Sequence, residues 1–304
     1  MYNSIKAAVM GSINMDIILS ARRLPEVGEN VLGSTYFYAH GGKGANQAIG
    51  LSRLGASVRM IGKVGNDANG ESLIKNLQKN KVDASAVSSE GSSTGLAAIL
   101  IDGQGRNRII IYEAANSEID PSLAEKNITE ELDVLLVQFE TKEDVVCAYV
   151  SEAIRKGVVT VVDCGPAKNF ALEKMQGMTI LSPNENETEA LTGIHPTDNE
   201  AALRASEILY KRALPRYVVL KLGERGCSLY DGSTIKFFAP YPTMVLDTTA
   251  AGDSFTAALA LEYVRSGDIE RACDVANRAG AIAVSRVGAE NSMPTADELM
   301  ITGE

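Results

Sequence analysis

Cysteine, positive charge and long apolar runs are all in short supply in this chain of 304 residues, and each shortage removes a class of function. The four cysteines, Cys147, Cys164, Cys227 and Cys273, stand far apart, with no Cys-x-x-Cys pair and no histidine nearby. Neither metal-ligand nor redox spacing is present, and a disulfide framework is not expected at this length. The thiols read as free, in a reducing compartment. Lys and Arg number 29 against 39 Asp and Glu, a net charge of −10. That balance argues against nucleic acid or an anionic membrane as partner, while leaving room for a local positive pocket. The first apolar run ends at Gly11, too short for a signal-peptide core. No later run approaches the ~18 apolar residues of a membrane span, so a cytoplasmic protein is expected. Ser/Gly-rich linkers, internal repeats and low-complexity tracts are missing too, and residues 1–304 read as one unit with a frayed carboxyl terminus (301–304).

What is present is an ordinary globular composition, 45% hydrophobic and 22% charged, arranged as short β-rich runs alternating with helical stretches. Strands are expected at 7–10, 58–62, 134–139, 158–163, 179–181 and 217–221, and helices at 45–54, 70–79, 142–156, 185–192 and 200–212. Two further helices, 251–265 and 269–286, are rich in small residues, as close packing on a sheet demands. Continuously apolar strands separated by helices indicate a mostly parallel sheet covered on both faces, a doubly wound α/β core. Residues 13–40 and the hairpin 96–112 break that rhythm and read as a small antiparallel sheet over one edge of the core, or as ordinary surface hairpins.

Three segments carry chemistry. HGGKGANQA (40–48) puts three glycines before a helix, letting backbone approach a ligand at a helix N-terminus. It fails as a P-loop, since Gly44 follows Lys43, and as a dinucleotide fingerprint, since Gln47 replaces the third glycine. A glycine-rich turn remains, with Lys43 and Asn46 suited to sugar hydroxyls. GSINMD (11–16) follows the first strand, where open α/β sheets bind ligands, and offers Asn14 and Asp16 to a polyol; turn chemistry is the competing account. DTTAAGDSF (247–255) opens a helix with the unencumbered amides of Ala250, Ala251 and Gly252, an anion-binding geometry. Asp253 beside them is either a plain helix-start acid or the base that takes a proton from an attacking hydroxyl.

Together with PNENETEALTG (183–193) and KLGERG (221–226), these segments resemble, nearly end to end, the PfkB family of carbohydrate kinases. The resemblance implies a doubly wound core with a β-sheet lid formed by about 13–40 and 94–113. It also implies ATP as phosphoryl donor, Mg²⁺, and activation by a monovalent cation such as K⁺. Asp253 falls on the family's catalytic base and Ala250, Ala251 and Gly252 on its anion hole. The sugar-contacting positions fall on Asn14, Met15 and Asp16, on Gly42, Lys43, Gly44, Ala45 and Asn46, and on Glu140 at the end of VLLVQFE. Asn184 and Glu187 match an Asn-x-x-Glu tied to Mg²⁺ and phosphate; by themselves they would be a solvated helix start. Nucleotide contacts fall on Lys221, Leu222, Gly223, Glu224, Arg225 and Gly226, on Gly252, and on Asn277 near the adenine. The cation shell falls on Asp247, Thr249, Ala283, Arg286, Gly288 and Ser292, mainly through backbone oxygens, which suits a large hard cation.

One segment departs from the pattern. Where the members most like this chain read Asn-Pro-Ala-Pro-Ala, it reads Asp163-Cys164-Gly165-Pro166-Ala167, near the ligand edge, so acceptor or nucleotide preference could differ. His40 reads as a packing residue. The expected activity is ATP-dependent phosphorylation of the primary hydroxyl of a pentose, D-ribose first. A sister kinase for deoxyribose, another sugar or a nucleoside competes with it, as does a non-catalytic sugar sensor on the same fold. The apolar hairpin faces imply a homodimer formed through the lid.

Overall fold

The computed structural model describes residues 4–301, so most of the segment expected to fray lies outside the described residues. From the amino end come β1 (Lys6–Met10), β2 (Asn14–Ala21), β3 (Gly33–Gly41), α1 (Lys43–Arg53), β4 (Ser57–Gly65) and α2 (Ala68–Lys79). Next are β5 (Asp83–Gly91), β6 (Gly95–Ile101), β7 (Asn107–Tyr112), α3 (Ala124–Asn127), β8 (Val134–Gln138), α4 (Glu143–Arg155) and β9 (Val159–Asp163). Then follow β10 (Ile180–Ser182), α5 (Glu185–Thr192), α6 (Asn199–Ala213), β11 (Tyr217–Lys221), β12 (Cys227–Tyr230) and β13 (Ile235–Phe238). The helices α7 (Ala251–Ser266), α8 (Ile269–Val284) and α9 (Ala296–Ile301) close the order.

Nine strands form one sheet in the order β13-β12-β11-β10-β9-β8-β1-β4-β5. All its pairs are parallel except β11–β12 and β12–β13. The central strands are buried on both faces because their side chains alternate between two cores. Ala7, Val9 and Leu136 face α1, α2, α7 and α8, while Ala8, Met10, Leu135 and Val137 face α3 to α6. Among the described residues no helix is long and apolar enough to cross a membrane.

A second sheet has the order β3-β2-β6-β7. Its outer pairs, β2–β3 and β6–β7, are antiparallel as expected, but the central β2–β6 pair is parallel. The cause is connectivity: β2 leaves the carboxyl end of β1 and β6 that of β5, and both run outward in the same sense. One face of this sheet carries Tyr36, Tyr38, Ile110 and Tyr112, all more than half exposed.

Candidate active site

The site lies at the carboxyl ends of β1, β8 and β9, where α1 and α7 begin. Glycine fixes the first of these junctions. Gly42 caps α1 with φ +92°, and a Cβ there would stand 2.7 Å from the Asn14 nitrogen. A Cβ on Gly44 would stand 2.7 Å from the Gly11 carbonyl carbon, so only glycine lets α1 start against the 11–14 turn. The start of α1 is thereby locked in place, with the Ala45 amide donating to the Ser12 carbonyl at 3.0 Å.

Polar side chains converge on that junction. Glu140, just past β8 and buried, accepts from the Ser12 hydroxyl, from the Lys43 amide at 3.4 Å and from Asn14 Nδ2 at 3.5 Å. Asn116 Nδ2 donates to Asn14 Oδ1 at 2.7 Å and orients that amide. Asp16 sits on β2 opposite the start of α1. Burial, with the carboxylates of Glu140 and Asp253 nearby, pushes its pKa up to about 7. Burial likewise raises Glu140, against the pull of Lys43. Burial works to strip the Lys43 proton, but the carboxylates of Asp253, Asp163, Glu187 and Glu140 outweigh it and keep the ammonium charged.

Asp253 lies on the first turn of α7 with its carboxylate buried. Asn46 Nδ2 donates to one oxygen at 3.0 Å and Gln47 Nε2 to the other at 3.1 Å. Burial, assisted by Asp163, raises its pKa above the ordinary aspartate range, and Lys43 limits the rise. Such a carboxylate is a stronger base than a solvated one. Before it, Ala250 takes the left-handed conformation (φ 59°, ψ 12°), and no side chain caps the helix. The first amides of α7 therefore have no side-chain cap: the Ala251 amide donates to the Thr248 carbonyl at 3.3 Å, and the others point out of the helix end.

That end opens on a cleft of about 920 Å³ whose lining includes Lys43, Asn184, Lys221, Gly223, Gly252 and Asn277. Glu224 and Gly226 line it too. Leu222 is buried in the core, and the Arg225 side chain turns to Glu185 and the Pro196 carbonyl, so neither presents its side chain there. The Met15 and Ala45 side chains also belong to the core, leaving only their backbone at the junction of the 11–14 turn with α1. Asn184 and Glu187 form a reciprocal capping box at the start of α5, with the Asn184 side chain accepting from the Glu187 amide at 2.9 Å and Glu187 accepting from the Asn184 amide at 2.8 Å. Glu187 is 2% exposed, so the solvated helix start anticipated from the bare sequence is replaced by a buried carboxylate facing Lys221 and Lys43.

With this geometry in hand, relatives are informative. A model of the pfkB family of carbohydrate kinases matches residues 4–296. The chain belongs to that family. It is 32% identical to the ribokinase of Bacillus subtilis (strain 168) over 96% of this chain and 97% of the relative. The Arabidopsis thaliana ribokinase structure complexed with ribose and ATP superposes with a TM-score of 0.87, at 30% identity and 98% coverage of both chains. Ribokinase from Thermotoga maritima gives 0.86 at 32% identity, covering 97% of this chain and 98% of that one.

The residues expected to form a cation shell come together in part. Asp247 accepts from the Thr249 amide at 2.9 Å with one oxygen and from the Gly288 amide at 2.9 Å with the other. The segment before α7 is thus clasped to the one after α8, and the Ala283 side chain is in the core. Arg286 points away to Glu298, and the buried Ser292 hydroxyl donates to the Ala289 carbonyl at 2.7 Å. Among the described residues no set of three or more His, Cys, Asp and Glu side chains is placed to hold a metal ion. His40 bonds Ser72 at 2.9 Å, between β3 and α2, as a packing residue would. Sequence reasoning passed over Ser12, Gln47, Asn116 and Thr256. Thr256 lies one turn beyond Asp253 on α7, a spacing that points to it, whereas Gln47 follows Asn46 directly and carries no such signal.

Proposed function

We propose that this chain is an ATP-dependent pentose kinase that converts D-ribose to ribose 5-phosphate. The observation that carries the reading is the placement of Asp253. Its carboxylate is held by Asn46 and Gln47 between a polar pocket (Asn14, Asp16, Glu140) and the cleft beyond the uncapped start of α7. A polyol in that pocket would direct a primary hydroxyl to the carboxylate, and a nucleotide triphosphate in the cleft would place its γ-phosphoryl at the amides of Ala250 to Gly252. Asp253 takes the hydroxyl proton as the oxygen forms its bond to γ-phosphorus, the bond to the β–γ bridging oxygen breaks, and ADP leaves. The amides and the Lys43 and Lys221 ammoniums hold the charge on the transferred group. The ribose and ATP of the Arabidopsis complex, in a chain so similar, support both ligands.

Mg²⁺ would neutralise charge on the nucleotide phosphates. Asn184 and Glu187 spend their side chains on each other, so it would be held chiefly through phosphate and water, the usual habit of this ion. A monovalent cation, K⁺ by preference, is proposed beside the clasp between Asp247 and the segment through Gly288; both Asp247 oxygens already accept from the Thr249 and Gly288 amides, so the other ligands would be backbone oxygens, and the ion would stiffen the turn that presents the amides. The small sheet, residues 14–41 and 95–112, serves as the lid over the sugar pocket, and closure would exclude water. Its exposed apolar face would be covered by the same face of a second copy, giving a homodimer. A reducing cytoplasmic setting suits the four free thiols. Coupled ADP-release assays across pentoses, hexoses and nucleosides, with and without K⁺, test the proposal. Turnover greatest with ribose is the expected result; greater turnover with a nucleoside or hexose, or none with any sugar, contradicts it.

A further inference from the structure

One buried carboxylate at the junction of pocket and cleft has no part in the steps above. Asp163 ends β9, fully buried. Its Oδ2 accepts from Lys221 Nζ at 2.9 Å, Gln47 Nε2 at 3.0 Å and Thr256 Oγ1 at 3.0 Å, and its Oδ1 accepts from the Gly165 amide at 3.1 Å. Gln47 Nε2 carries two hydrogens and spends them on two carboxylates, one on Asp163 and one on Asp253 at 3.1 Å. Its Oε1 accepts from Gln138 Nε2 at 2.6 Å, which fixes the end of the amide that faces the carboxylates. Thr256 ties Asp163 to the helix that carries Asp253, because it lies one turn beyond Asp253 on α7; its single hydroxyl hydrogen is shared between Asp163 Oδ2 and the Gly252 carbonyl, which stands 2.9 Å away. The Lys221 ammonium stands 3.9 Å from the point that a Cβ on Gly252 would occupy, at the end of α7.

We infer that Asp163 is a positioning residue for phosphoryl transfer: it holds the Lys221 ammonium at the mouth of the α7 turn and, through the shared Gln47 amide and Thr256, fixes the Asp253 carboxylate against that turn. The inference rests on the kinase reading of the site. A buried lysine with no counter-charge loses its proton or leaves its place. Here burial works against the Lys221 charge, and Asp163 with Glu187 overcomes it. Burial alone would raise Asp163, but Lys221 and Lys43 hold it ionised below the ordinary range. The other charges around Asp163 are Glu187 and Asp253; those around Asp253 are Lys43, Asp16 and Glu140. Among the partners this chain supplies asparagine does not fit, since both Asp163 oxygens accept and a carboxamide would turn its NH₂ either on three donors or on the Gly165 amide; the Asn that similar family members carry at this position must meet a different set of partners.

The test is Asp163→Asn measured beside the unaltered protein. kcat with ribose should fall about tenfold to a hundredfold, the scale of a misplaced reacting group, with both KM values within about threefold. Loss of the Asp163 charge should also move the Asp253 carboxyl titration, followed by ¹³C NMR of the unliganded protein, to lower pH, and with it the acid limb of the rate profile. A folded Asp163→Asn protein with unaltered kcat and an unmoved Asp253 titration overturns the inference, as does a loss confined to KM. If the single variant does not fold, Asp163→Asn with Lys221→Met removes both charges together and is compared with Lys221→Met alone; the added loss of the Asp163 charge should still move the Asp253 titration to lower pH, and an unmoved titration there overturns the inference. Absence of ribose turnover in the unaltered protein contradicts the kinase reading instead, and the Asp253 titration still decides the role of Asp163.

Discussion

Sugar binding should depend on pH through Asp16. Its carboxyl is pushed up to about 7 by burial and by the carboxylates of Glu140 and Asp253. An ionised Asp16 accepts charge-assisted hydrogen bonds from two hydroxyls, and a protonated one gives up an acceptor. With a pKa near 7, the ionised fraction grows from roughly 0.1 at pH 6 to roughly 0.9 at pH 8. Ribose should therefore bind about tenfold more tightly at pH 8 than at pH 6, and binding near pH 7 should release about half a proton. Calorimetry with a non-hydrolysable nucleotide measures both without turnover, so titration of Asp253 on the kinetic side does not intrude. Asp16→Asn should weaken binding at pH 8 about tenfold or more, in keeping with ~1.5–3 kcal/mol for bonds to a charged group, and should flatten the pH dependence. Equal affinity at the two pH values, or a surviving slope in Asp16→Asn, would refute the reasoning.

Lys43→Met removes the ammonium shared by Asp253, Asp163, Glu187 and Glu140. It should cost about 3–5 kcal/mol and lower the thermal midpoint by about 5–8 °C, and an unchanged midpoint would mean that the carboxylates do not depend on it. Replacing tetramethylammonium by K⁺ at fixed ionic strength should raise the rate several-fold, mostly in kcat; equal rates would leave the Asp247 clasp a purely structural turn. Light scattering should show a dimer that Ile110→Asp, on the exposed face of the small sheet, turns into a monomer. A fully active monomer of the unaltered chain at micromolar concentration contradicts the lid pairing.

Much of the core was legible because β1, β8, β9 and β11 are short unbroken apolar runs separated by helices. The edge strand β5 was not, since DASAVSSEG is polar and half-exposed and owes its pairing to β4 rather than to its own composition. The strands β12 and β13, four residues each and paired antiparallel at the edge of the sheet, were not expected. In the site, the glycines and Asp253 stand out from local spacing alone. Asp163 stood out only as a departure from a pattern, because its partners Gln47, Lys221 and Thr256 come from three distant segments. Glu187 looked solvated for a similar reason: the acids at a helix start say nothing of the lysines that reach it from elsewhere.

The central claim is that Asp253 takes the proton of the sugar hydroxyl, and the most direct measurement is kcat for ribose in Asp253→Asn beside the unaltered protein. The substitution keeps shape and one acceptor while removing the base. Turnover should fall at least ~10²-fold with nucleotide affinity and fold retained, the low end of general-base contributions. Near-normal turnover in a folded, nucleotide-binding Asp253→Asn protein would contradict the account.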